Sequence, residues 1–236
     1  MSAGLGLKRQ FQAAIALLLV VGAAVSGMAA RLYVSGGVGR SIFVVTRGVL
    51  LGLPLAWFLG IDRDRVRWVS PSRREIAAGT TLGLAMAGVI LLAYLSIGRS
   101  LLDAEIVRDA AALVGLTRPL FFLGFAVYFT VINALVEEYV WRWFVYQKCA
   151  VLVKEPYAVY LSALCFTLHH IIALAGYTGN TLVTIFGSLG VFGAGAIWSL
   201  CFLRYQSLWA CYVSHALADL AIALIGWDLL FLYGVD

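Results

Sequence analysis

Charge is what this sequence has least of. Of its 236 residues, 12% are Asp, Glu, Lys or Arg while 63% are apolar or aromatic; soluble globular domains run at roughly a quarter charged and half apolar. So few charges leave too much apolar surface uncovered, which excludes a soluble domain and a disordered chain. Proline is scarce, at four residues without a Gly-X-Y repeat, so a collagen-like fibre is excluded. Cys149, Cys165, Cys201 and Cys211 lie in or beside apolar runs without Cys-x-x-Cys spacing. They read as small hydrophobes, not as a disulfide or zinc framework. Strand-type alternation, internal repeats and low-complexity tracts are missing too. Nor does any serine or cysteine stand in a recognisable nucleophile setting; Ser162 and Ser214 read as helix hydroxyls bonded to backbone carbonyls.

What is present is a series of apolar runs, each near the roughly 20 residues that cross a bilayer. They cover about 11–30, 42–61, 76–97, 120–149, 156–175, 182–203 and 208–233. The last contains Gly226 and reads as one tilted helix or a helix with a short return, giving seven to eight spans. Continuous runs without alternation require helices, whose backbone polar groups are satisfied internally. The expected fold is an all-α polytopic transmembrane bundle, a single integral-membrane domain over 1–236. The first run, with Lys8-Arg9 before it, resembles a secretory signal; the spans that follow favour a retained helix. Between the third and fourth runs, Leu101–Leu116 mixes acidic and apolar residues and reads equally as an interfacial amphipathic helix or an outside loop.

The net charge of +5 comes mostly from arginines between apolar runs, a membrane-topology pattern that argues against nucleic-acid binding. Arg63, Arg65, Arg67, Arg73 and Arg74 follow the second run. The positive-inside rule places them in the cytoplasm, and alternation from there puts Lys8-Arg9, Lys148 and Lys154 on the same side. Small-residue seams at Gly79-xxx-Gly83 and at Gly187, Gly190, Gly193 and Gly195 predict close helix packing.

A charge inside a span costs at least ~2.5 kcal/mol on insertion scales, so the buried ionisable residues need a reason. Glu138 and Arg142, at i and i+4 on one helical face, form a self-compensating pair. Glu137 lies about 100° around the helix and lacks that partner. Solvation at a helix end would explain all three equally well. The three histidines all lie in apolar runs: His169, His170 and His215. Phe166 shares a face with His170, and His215 shares one with Asp219; that aspartate is placed to fix or charge the imidazole. A carboxylate, two histidines and an aspartate from three spans suit water-mediated amide hydrolysis: a base, a proton-sharing imidazole and a stabilised oxyanion.

Glu137-Glu138-xxx-Arg142, Phe166-xxx-His170 and His215-xxx-Asp219, in that order on successive apolar segments, resemble the three motifs of the CPBP (ABI) family of CAAX-type and bacteriocin-processing intramembrane endopeptidases. The resemblance covers 118–236; residues 1–117 are accessory spans alike only in hydropathy. It implies that Glu137 activates water, His170 assists, and His215 belongs to the oxyanion site. Asp219 stands where the family usually has asparagine, and as a carboxylate it orients or charges His215. Glu138, Arg142 and Phe166 fill structural motif positions. His169 matches no family position and is expected to face another side of its helix. A metal-free mechanism is favoured, with a zinc site of Glu137, His170 and His215 as the alternative. The implied substrate is a membrane-anchored protein or peptide, cleaved at a prenylated or other C-terminal signal. The implied location is a bacterial-type inner or plasma membrane, with the active site toward the cytoplasm. The rival reading is a non-catalytic membrane scaffold or immunity protein, or a transporter with a buried polar network.

Overall fold

The computed structural model describes residues 2–64 and 69–233, with side chains from residue 6 onward in the first helix. Arg65 and Arg67 of the basic loop therefore lie outside the described residues. Eight helices follow one another: α1 (Ser2–Tyr33), α2 (Gly36–Asp62), α3 (Arg73–Leu101), α4 (Ala104–Ala112), α5 (Pro119–Leu152), α6 (Tyr157–Thr178), α7 (Thr181–Tyr205) and α8 (Trp209–Leu232). All but α4 are long and apolar enough to cross a membrane, and no strand occurs among the described residues. The chain is a multi-pass integral membrane protein with seven candidate spans. The last apolar run is one continuous helix, so the eighth-span option falls away.

Local chemistry sets the helix ends. Ser72 and Glu75 form a reciprocal capping box at the start of α3, satisfying two of the orphan N–H groups there. Asp103 caps α4, accepting from the amides of Glu105 and Ile106. Pro119 opens α5 in the first helical turn, where its missing N–H costs nothing. Gly179 ends α6 in the left-handed conformation (φ +60°), the backbone state glycine adopts without a Cβ penalty. Asn180 then caps α7 through Leu182 and Val183 and donates its Nδ2 to the Leu101 carbonyl. Thus α4 is a real helix. Its Arg108 donates to the Tyr233 carbonyl, tying the α3–α5 connection to the end of α8.

Helix α3 packs along α8, α6 along α7, and α1 along α2 and α6, while α5 threads between α8 and α6. The Gly79/Gly83 seam explains the first pairing. A Cβ on Gly79 would meet the Ala210 carbonyl at 2.7 Å; one on Gly83 would meet Leu217 Cβ at 2.8 Å and Ser214 Cα at 2.9 Å. The second seam is only half used. Gly187 and Gly195 abut Leu174 and Phe166, but Gly190 and Gly193 have open space where a Cβ would stand. Apolar side chains such as Leu18, Leu84, Leu92, Phe186 and Leu189 remain exposed, as a bilayer-facing surface requires. The core gathers Trp141, Phe144, Phe166, Trp198 and Phe202 around the polar residues described next.

Candidate active site

Four helices bring the ionisable residues together. Glu137, Glu138 and Arg142 come from α5, His169 and His170 from α6, and His215 and Asp219 from α8, while α7 adds Trp198. Along α5 the backbone widens to i→i+5 hydrogen bonding over Tyr128–Asn133 and again over Tyr139–Tyr146, leaving Ala134–Glu138 as an ordinary α-turn between. Wide turns of this kind are rare and recur at functional sites. Here they bracket both glutamates.

Glu138 and Arg142 are fully buried, with Glu138 Oε1 3.2 Å from Arg142 Nη1. The guanidinium lies over the rings of Phe166 (4.5 Å) and Trp198 (4.9 Å). Those ring faces offset part of the cost of burying the cation. The same Glu138 Oε1 accepts from His215 Nδ1 at 2.7 Å. Glu138 is therefore a carboxylate partner of His215 in addition to Asp219, the one that helical spacing indicates. A contact across 77 residues has no signature in local periodicity. Asp219 Oδ1 instead stands 3.5 Å from His215 Nε2, and Glu137 Oε2 stands 3.6 Å from the same nitrogen. The His215 ring also stacks on Trp198 at 4.1 Å and 16°, and the Trp198 Nε1 donates to Ser214 Oγ. Ser214 thus accepts from an indole and contacts Met86 Sδ; Ser162 donates to the Trp141 carbonyl of α5.

Glu137 has its own support, which sequence reading missed. Asn133 Nδ2 donates to Glu137 Oε1 at 3.1 Å, both residues being buried. The signal available was an amide side chain four residues before an acid in an apolar run. His170 Nδ1 donates to the Phe166 carbonyl at 3.0 Å, which leaves Nε2 as the lone-pair nitrogen.

His169 departs from expectation. The helical step predicts another side of α6 for it, yet one donor atom each from Glu137, His169 and His170 all lie within 4.8 Å of one another. The His169 ring lies 4.1 Å from that of His170 and stacks on Trp141 at 5.1 Å and 8°. The 100° step between neighbours on an α-helix separates their Cβ atoms, but long rings converge when both turn into the same groove.

Among the described residues, the ligand atoms that lie within 4.8 Å of one another are those of Glu137, His169 and His170, a set without His215.

Residues 119–221 match the family model described as type II CAAX prenyl endopeptidase Rce1-like. That segment, somewhat under half of the chain, is similar to the Rce1-like family. No curated protein and no solved structure gives a significant match. The Rce1-like segment runs from the first turn of α5 to the middle of α8 and so encloses every residue of the cluster. It supports a CAAX-type intramembrane endopeptidase in general terms.

Proposed function

We propose that this Rce1-like protein hydrolyses a peptide bond of a membrane-anchored protein or peptide, near a CAAX-type or other C-terminal signal, with Glu137 as the base that activates water. The observation that carries the reading is the spacing of Glu137 and His170, whose donor atoms lie within 4.8 Å of each other, Glu137 buried and His170 partly buried. One water bonded to both at about 2.8 Å per bond spans about 4.6 Å at a tetrahedral angle. Glu137 takes one proton of that water while His170 Nε2 accepts the other hydrogen bond, and the oxygen adds to the carbonyl carbon. The developing oxyanion is met by His215, whose Nε2 stands beside Glu137 and whose ring Glu138 and Trp198 hold in place. On collapse, Glu137 returns the proton to the leaving amine, and the base is regenerated.

In this reading Asp219 balances the charge of His215, and Asn133 aims the Glu137 carboxylate. Arg142 and Phe166 hold Glu138 and His170 from behind. In this reading the basic helix ends face the cytoplasm, as the positive-inside rule favours, and cleavage occurs on that side. The protein, reconstituted in vesicles with a membrane-anchored peptide, is assayed for new C-termini by mass spectrometry. Glu137→Gln should lower the rate by about 10²–10⁴-fold. Cleavage retained by a stably folded Glu137→Gln protein would refute the assignment.

A further inference from the structure

We propose that Glu137, His169 and His170 form a binding site for a zinc-class divalent cation, and that occupancy silences the peptidase by taking Glu137 away from water. The silencing half rests on the reading of Glu137 as the base; the binding half stands on geometry alone. Three potential ligand atoms, one per residue, lie within 4.8 Å of one another. Each side chain is prepared in a way metal ligands commonly are. Glu137 is oriented by the Asn133 amide, and His170 by the Phe166 carbonyl at Nδ1; outer partners of this type fix ligand direction and tautomer. His169 supplies the independent observation. It is 6% exposed, its ring is clamped flat on Trp141, and its Nδ1 is buried without a hydrogen-bond partner among the described residues. A buried polar nitrogen left unbonded is costly, and a bound ion relieves that cost.

The donor set selects the metal. Two imidazoles and one carboxylate suit zinc, cobalt or nickel, whereas calcium and magnesium want more oxygens than this pocket offers. Tetrahedral bonds of about 2.0–2.1 Å put donors about 3.3 Å apart, so binding draws the three side chains together. His215 is outside the set of ligand atoms that lie within 4.8 Å of one another. Bound to the ion, Glu137 no longer has its carboxylate free to accept a proton from water.

Zinc binding to the purified protein in lipid nanodiscs is measured by competition with a chromophoric chelator, with the visible spectrum of added cobalt(II) as a second readout. The expected result is one ion per chain, weakened at least about tenfold by His169→Gln, and kept by His169→Cys, which restores a ligand. His215→Gln should bind as the wild type does. Absence of stoichiometric binding, undiminished affinity in a folded His169→Gln protein, or loss of the ion in a folded His215→Gln protein would overturn the site. Added zinc should lower peptide cleavage and chelator restore it; cleavage abolished by chelator alone would overturn the silencing role. Glu137-dependent cleavage without zinc binding removes only this inference. Zinc binding by a protein that cleaves nothing removes the silencing role together with the proposed peptidase, and leaves the metal site.

Discussion

Breaking the buried pair of Glu138 and Arg142 should be far more damaging than deleting it. At 3.2 Å two unit charges attract by roughly 5 kcal/mol if the effective dielectric constant is about 20. The desolvation penalty, several kcal/mol per ion, consumes most of that gain. The pair is therefore worth little net, but either charge left alone keeps its penalty and loses its partner. Glu138→Gln and Arg142→Met should each cost about 3–5 kcal/mol, and the double variant should fall within about 1 kcal/mol of the wild type. Reversible unfolding in mixed micelles, followed by the fluorescence of the seven tryptophans, measures all four proteins. A double variant whose loss equals the sum of the singles to within about 0.5 kcal/mol would show the sites to be independent, and refute the reasoning. Stability and activity should also part company. Glu138 holds His215 Nδ1 at 2.7 Å, so the double variant, though stable, should cleave at least about tenfold more slowly because the imidazole is no longer held in place.

Other outcomes follow from single contacts. Asn133→Ala removes the amide that aims Glu137 and should lower kcat about tenfold with KM little changed, as steady-state kinetics on an anchored peptide would report. Gly83→Val forces methyl groups into Leu217 and the α8 backbone at Ser214. It should cost about 1–3 kcal/mol in micellar unfolding, whereas Gly190→Ala, facing open space, should be neutral or slightly stabilising. Asn180→Ala loses the α7 cap and its bond to Leu101, costing about 1–2 kcal/mol in the same assay.

The spans were legible because each is long, continuous and apolar, and the lipid leaves the backbone no alternative to a helix. The Glu138–Arg142 contact was legible for a local reason: one turn of helix brings i and i+4 together whatever else happens. What could not be read is how faces of different helices meet. Glu138 reaches His215 across 77 positions, and Trp198 and Trp141 serve as floors for two imidazoles. Neither arrangement leaves a periodic trace. The wide turns over Tyr128–Asn133 and Tyr139–Tyr146 broke the assumption of 3.6 residues per turn on the very helix that carries both acids. His169 escaped for a related reason, because a wheel diagram places Cβ atoms and says nothing of where a ring ends.

The glycine seam on α3 has a consequence for how such a protein can be altered. Gly79 and Gly83 press on the α8 backbone at Ala210 and Ser214, the latter the immediate neighbour of His215. A chimera that kept residues 119–236 but borrowed its leading spans from an unrelated membrane protein would lift α8 outward wherever larger side chains replaced those glycines. The imidazole would leave its seat with every motif letter intact. The motif-free half of the chain thus works as a gauge block, and successful grafting would depend on two hydrogen atoms where other residues carry carbon.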